Sequence, residues 1–245
     1  MRDQTRSTLT YLGHASFKIV TPNNRTILID PWLVDNPSCP PALKAQDIAD
    51  VILITHGHDD HLDRDLPRLA HATGAAIVAP PAVRLYLTRQ GVEELEPMNT
   101  GGSVVVRGVG VTMTNAFHWS HIEEKDGTPT LPHGAVGYVV RTEDGLCLYH
   151  AGDTGVFGDM RLIGELYRPH VALLPIGDRF TMGPLQAAHA IRLLAVRRVV
   201  PMHYGTFPSL TGTPADLREE TRDVDGLDIL VMAPGDTWEW DGTSD

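Results

Sequence analysis

Three histidines and two aspartates fall within the six residues His56-Gly57-His58-Asp59-Asp60-His61. Side chains of these types crowded so closely have no good packing role, and the histidines would repel one another if protonated; what the group can do is hold metal. His56 and His58 stand two apart, so on an extended turn both imidazoles can reach one ion at about 2.0–2.1 Å. Asp60 and His61 can serve a second ion about 3.5–4 Å from the first. His118, Asp153 and His203 can complete the two shells, Asp153 as a bridge because a carboxylate has two oxygens. Seven ligands shared by two ions leave coordination positions for water, the mark of a catalytic rather than a structural site. His121 and His133 compete with His118 for the third position, and His118 is preferred because it comes directly off a predicted strand. His71, His170 and His189 fall in predicted helices or after Pro169 and read as solvated or hydrogen-bonded side chains.

The elements that must position these residues follow from the apolar pattern. Strands are predicted at 9–12, 16–20, 26–29, 51–54, 75–78, 104–106, 109–115, 135–141, 146–150, 171–175, 198–200 and 229–231. Helices are predicted over 81–90, 158–167, 183–195 and 214–222. The first strands come nearly back to back, with a turn at Pro22-Asn23-Asn24, and read as an antiparallel meander; later strands alternate with helices. Two mixed sheets with helices outside satisfy both halves, an α/β class. His14, Asp30, His56, His118, Asp153 and His203 each come just past the end of a strand-like run. That edge is where loops converge to build sites in α/β sheets, so one shared cleft is predicted.

Length and composition set the outer bounds. A chain of 245 residues suits a single domain over 1–245, and no repeat or linker divides it. At 42% hydrophobic and 21% charged, with no apolar run near the roughly 20 residues of a membrane span, a membrane role is not expected. The start of the chain has no signal-peptide pattern, which points to the cytoplasm. Cys39 and Cys147 lack metal-ligand spacing and fit a reducing compartment. A net charge of −11 disfavours nucleic acid and leaves a small molecule as the expected partner; a homo-oligomer is left open.

The loop His56, His58, Asp60, His61 resembles the His-x-His-x-Asp-His motif of the metallo-β-lactamase superfamily. The resemblance runs nearly the whole chain, through the segments 11–17, 29–32, 149–155, 175–184 and 202–207. Together they resemble a branch of metal-dependent hydrolases similar to L-ascorbate-6-phosphate lactonase. The resemblance implies an αβ/βα four-layer sandwich with the metals between its two sheets. It also implies that His56, His58 and His118 bind one ion, that Asp60, His61 and His203 bind the other, and that Asp153 bridges. His14, Asp30 and His150 are then residues that orient ligands or line the pocket. Trp119 and His121 stand where the family carries small polar residues after the third histidine, a departure that bears on pocket shape.

The expected chemistry is hydrolysis by a metal-bound hydroxide, with two divalent ions, zinc first and Mn2+ or Fe2+ as alternatives. Asp60 is the candidate catalytic residue, holding the nucleophile or moving its proton. A lactone or other ester-like small molecule is the substrate class the resemblance favours. Arg179 can anchor an anionic substrate if it points inward, with Thr181 and Met182 beside it; its competing reading is a surface ion pair. A phosphodiesterase or nuclease is the alternative within the superfamily. A redox di-iron protein or a non-catalytic metal-binding protein is the alternative outside hydrolysis, although the former calls for a carboxylate where His58 stands and the latter for missing ligands.

Overall fold

A computed structural model of the chain describes residues 5–123 and 132–242; the outermost positions of the single-domain reading, 1–4 and 243–245, lie outside them. In chain order the strands are β1 (Thr8–Gly13), β2 (Ser16–Val20), β3 (Thr26–Ile29), β4 (Val51–Leu53), β5 (Ala76–Val78), β6 (Leu95–Glu96), β7 (Ser103–Val106), β8 (Val109–Ser120), β9 (His133–Arg141), β10 (Cys147–His150), β11 (Val171–Pro175), β12 (Arg198–Met202), β13 (Asp228–Ile229) and β14 (Thr237–Glu239). The helices are α1 (Leu66–Thr73), α2 (Pro81–Arg89), α3 (Met160–Tyr167), α4 (Pro184–Leu194) and α5 (Pro214–Glu220).

Seven strands form one sheet in the order β14-β1-β2-β3-β4-β5-β6, and seven form the other in the order β13-β12-β11-β10-β9-β8-β7. The predicted meander is present: β1, β2 and β3 pair antiparallel, after which β3, β4 and β5 run parallel. In the second sheet β8, β9 and β10 are antiparallel and β10 to β13 parallel. Strands β3, β4, β10 and β11 are buried along their whole length, as the continuous runs Thr-Ile-Leu-Ile and Val-Ala-Leu-Leu-Pro require of strands covered on both faces.

Three apolar clusters separate four layers. One lies between the sheets, with Phe17, Ile19 and Ile27 facing Val111, Met113, Tyr138 and Leu148. A second joins the outer face of the second sheet to α3, α4 and α5 through Tyr149, Leu174, Ile163, Ile191 and Leu217. The third joins the first sheet to α1 and α2 through Ile52, Ile54, Leu66, Leu69 and Val83. This is the αβ/βα sandwich of the sequence reading. Among the described residues no helix is long and apolar enough to cross a membrane.

Four elements differ from expectation. Helix α1 was given no range from the sequence, although His71 reads as helical there, and its signals are present: Pro67 in the first turn, Leu66, Leu69 and Ala70 on the buried face, and Gly74 at φ +67 closing the end. Eight residues beginning beside a proline gave too short a period to recognise. Short strands β6 and β14 were also missed. Strand β8 does not stop near residue 115 but continues to Ser120, because its pairing with β9 resumes across an irregularity, from Asn115 opposite Val136 to Trp119 opposite Gly134.

Candidate metal centre

The turn between β1 and β2 carries His14, Asp30 follows β3, the His56 to His61 loop follows β4, Asp153 lies three residues past β10, and His203 follows β12. His118 is the correction to the strand-end rule: it lies inside the extended β8, where the irregular pairing alters the strand's course. His14, Asp30 and His203 have φ of 59°, 45° and 55°. For residues other than glycine this left-handed backbone costs on the order of 1–3 kcal/mol each and persists only where surrounding contacts enforce it. Here His203 N donates to the His14 carbonyl at 2.8 Å, joining two of these sharp turns across the sheets.

The expected ligands converge. His56 Nε2 lies 3.1 Å from His58 Nδ1, and His118 Nε2 lies 3.3 Å from the same atom. Asp153 Oδ2 is 3.8 Å from both His56 Nε2 and His118 Nε2. A tetrahedron of bonds about 2.0–2.1 Å long has edges of about 3.3–3.4 Å, so these separations fit one small ion between the atoms. On the other side of Asp153, Oδ2 lies 3.2 Å from His203 Nε2 and Oδ1 lies 3.3 Å from His61 Nε2. Asp60 joins that group, its carboxylate oxygens 3.9 Å from His61 Nε2 and from His203 Nε2. His121 is exposed, with its ring 5.5 Å from that of His58, and His133 packs against Gly57 rather than joining the ring of donors.

His61 Nε2, His203 Nε2 and Asp153 Oδ1 are buried without a hydrogen-bond partner among the described residues. A buried polar atom left unsatisfied costs roughly 1–3 kcal/mol. Three of them aimed into one space fit a cation there.

Surrounding hydrogen bonds choose which nitrogen His56 and His61 offer. Asp30 accepts from Thr55 N at 2.7 Å and from the Thr55 hydroxyl at 2.6 Å, and lies 2.8 Å from His61 Nδ1. With its hydrogen committed to Asp30, the Thr55 hydroxyl can only accept from His56 Nδ1, 2.9 Å away. One buried carboxylate thus places the ring hydrogens of His56 and His61 on Nδ1 and leaves both Nε2 lone pairs facing the cluster. His14 does the same for Asp60: Nε2 lies 3.1 Å from Asp60 Oδ2, while Nδ1 lies 2.9 Å from the Thr206 hydroxyl. His150 has another task. It accepts from Gly152 N at 3.1 Å and donates through Nε2 to the Ala15 carbonyl at 3.0 Å, pinning the Asp153 loop to the β1–β2 turn.

Burial, helped by neighbouring histidines, pushes His56 well below the ordinary imidazole value and brings His14 and His58 down to about 4; burial lowers His118 as well. These rings are neutral at pH 7, as ligands must be. Burial would lower His61 too, but Asp153, Asp60 and Asp30 outweigh it and raise it well above the ordinary value. Positive charge is favoured at that point, whether a proton or a metal supplies it. Burial disfavours charge on Asp153 and Asp60, yet His203 and His61 for the first, and His61 and the His14 hydrogen bond for the second, hold both carboxyls below the usual range.

The remaining pocket candidates divide. Arg179 is exposed, its guanidinium 5.6 Å from the ring of Phe180, and it forms no ion pair among the described residues. Thr181 is half-buried beside it. Met182 is a correction: its side chain is buried in the apolar cluster under α4, and it reaches the site only through its backbone N–H, which donates to the Thr154 carbonyl at 3.0 Å. Sequence reasoning missed Thr55, Thr206 and Ser120, the last accepting from Gly57 N at 2.9 Å. Thr206 stood inside the segment 202–207 that carries the resemblance, three residues after His203, but a lone threonine announces no role.

This layering, with a cluster of such donors where the sheets meet, is that of the metal-dependent hydrolases with the metallo-β-lactamase fold. A family model described as the beta-lactamase superfamily domain matches residues 8–203, and the chain belongs to that superfamily. It is 54% identical over 229 residues to a UPF0173 metal-dependent hydrolase of Rubrobacter xylanophilus, covering 93% of this chain and 94% of that one. A solved metallo hydrolase from Ignicoccus hospitalis superposes with a TM-score of 0.81 at 35% identity, over 97% of this chain and 99% of that chain. The diiron β-hydroxylase CmlA of Streptomyces venezuelae shares the fold at a TM-score of 0.71 and 16% identity, over 96% of this chain and 54% of that one. Fold alone therefore leaves the reaction open, and the site must argue it.

Proposed function

We propose that the chain hydrolyses a lactone or other ester-like small molecule at a binuclear metal centre. The observation that carries this reading is Asp153, a buried carboxylate with His56 and His118 on one side and His61 and His203 on the other. His56 Nε2, His58 Nδ1 and His118 Nε2 would hold one ion, Asp60, His61 Nε2 and His203 Nε2 the other, and Asp153 both. Imidazole-rich donor sets of this kind suit zinc, with Mn2+ or Fe2+ as alternatives. When bound, such ions supply Lewis acidity and make water acidic near neutral pH.

The chain's own groups supply the rest. Most of the cluster is sealed; it meets solvent at the side chains of Asp60 (29% exposed) and His118 (13%) and at half-buried His58, an opening suited to a small molecule. Asp60 Oδ2 is held by His14, which leaves Oδ1 to orient the attacking water and accept its proton. Asp30 and Thr55 keep His56 and His61 in the tautomers that leave Nε2 free. Access restricted to a small molecule and a net charge of −11 both support this reading over a polynucleotide substrate.

The test is metal analysis of protein purified without added ions, followed by assays on lactones, thioesters and phosphodiesters with the wild type and Asp60→Asn. About two equivalents of transition metal are expected, with lactone or ester cleavage falling at least about 100-fold in the variant, within the range for loss of a general base. Less than half an equivalent after metal-sufficient growth sinks the binuclear centre. Cleavage confined to phosphodiesters sinks the ester reading, and undiminished turnover in Asp60→Asn removes that residue from the mechanism.

A further inference from the structure

Arg161, Arg168, Arg192, Arg197 and Arg198 line one cavity of about 760 Å³, together with His170. Residues 168–170 lead into β11, Arg198 opens β12 and Asp228 opens β13, so the cavity lies at the amino-terminal ends of parallel strands. His203 follows the opposite end of β12, and the metal centre is therefore a separate place. The five arginines, set against Glu165 and Asp228, leave the lining at +3 on a chain of −11. Helices α3 and α4 both end here, and their terminal carbonyls add about half a negative charge each, which lowers this excess without cancelling it.

Existing contacts use some of these cations but not all. Arg192 pairs with Asp223 and donates to the Glu220 carbonyl, Arg198 lies 2.8 Å from Asp228, and Arg161 lies 3.6 Å from Glu165. Arg168 and Arg197 form no ion pair among the described residues. Helix capping does not explain them either, since the Tyr167 carbonyl at the end of α3 already accepts from Arg141 at 2.6 Å. His170 accepts from Cys147 N at 3.0 Å through Nδ1, so its neutral ring carries a donor hydrogen on Nε2. It stacks at 4.6 Å on Trp240, another lining residue, whose buried indole Nε1 has no hydrogen-bond partner among the described residues.

We propose that this cavity binds a small organic anion carrying two or more phosphate groups, engaged by Arg168 and Arg197 within the field of the other arginines. Planar guanidinium forks match phosphate oxygens in pairs, and the volume lies within the range of about 300–1,000 Å³ usual for small-molecule sites. Two uncommitted cations suit such a ligand. They are too few for a nucleic acid, whose binding rests on neutralising many phosphates against a surface that is otherwise acidic.

The test is calorimetric titration of the metal-loaded protein with ADP and with pyrophosphate at constant ionic strength, in the wild type, Arg168→Ala/Arg197→Ala and Arg168→Gln/Arg197→Gln. Both substituted residues are exposed, and the glutamine pair keeps the test open should the alanine pair fold poorly. Saturable one-to-one binding in the wild type that weakens at least tenfold in the paired variants, at unchanged metal content, supports the site. Absence of saturation at millimolar ligand overturns it. Binding of equal strength in the variants overturns it as well, because it places the anion away from Arg168 and Arg197. Displacement of ADP by a short single-stranded oligonucleotide at lower concentration overturns the choice of a small ligand.

Discussion

Thr206 was not among the expected site residues, yet its hydroxyl is the one side-chain partner of His14 Nδ1 among the described residues, and His14 is the clamp on Asp60. The consequence can be measured. Replacing Thr206 by valine removes that partner, frees the His14 ring to turn, and lets Asp60 Oδ2 leave its place. A fall in kcat of about 10–100-fold is expected, the range for lost outer contacts of a metal site, with KM and metal content held and Thr206→Ser restoring the rate. Steady-state kinetics with metal analysis decide it. Loss of metal in step with the rate would instead show that His14 and Thr206 act by keeping Asp60 on the ion rather than by orienting the nucleophile. The sequence showed the type and spacing of the ligands but not such partners, since a threonine at position 206 looks like any loop threonine until the fold sets it beside residue 14.

Among elements, the β8–β9 arm shows why boundaries were harder to read than existence. The run 109–115 alternates well enough to be recognised, but the residues that carry His118 and Ser120 into the site follow an irregularity that only pairing with β9 defines. At the far end of the sandwich, the turn between β9 and β10 holds the chain entering β1: Asp144 accepts from Ser7 N at 2.7 Å, from the Ser7 hydroxyl at 2.8 Å and from the Thr142 hydroxyl at 2.5 Å. Burial would raise the Asp144 pKa, but these donors outweigh it and lower it. A carboxyl depressed on folding contributes stability that is present above its unfolded pKa of about 3.9 and is lost as pH falls through the folded value. Asp144→Asn is therefore expected to cost about 1 kcal/mol at pH 7, the size of a partly exposed charged hydrogen bond, and progressively less below about pH 4. Urea unfolding at pH 7 and pH 3 tests this; a pH-independent difference contradicts it.

On the scale of the whole molecule, the metal centre joins the two halves. The His56 to His61 loop belongs to the first sheet, while His118, Asp153 and His203 belong to the second, so an ion held between them, as proposed, would tie sheet to sheet. Removing it leaves two carboxylates and several imidazoles facing one another without a cation. A chelator is expected to lower Tm reversibly, since a ligand at 100 times its Kd stabilises the native state by about 2.7 kcal/mol. Scanning calorimetry before chelation, after it, and after zinc is restored provides the measurement, and an unchanged Tm would mean that the sandwich stands without the ions.

By itself the sequence determined the donor types, the spacing of the loop His56 to His61, the alternation that builds two mixed sheets, and the family, because these are properties of neighbours along the chain. Tertiary structure decided which of His118, His121 and His133 reaches the cluster, that Met182 belongs to the core, and that Asp30 governs the tautomers of both His56 and His61. It also brought five arginines, spread over 161–198, around one cavity. Each of these depends on where a side chain ends in space relative to residues far away in the chain, and local spacing carries no record of such distances.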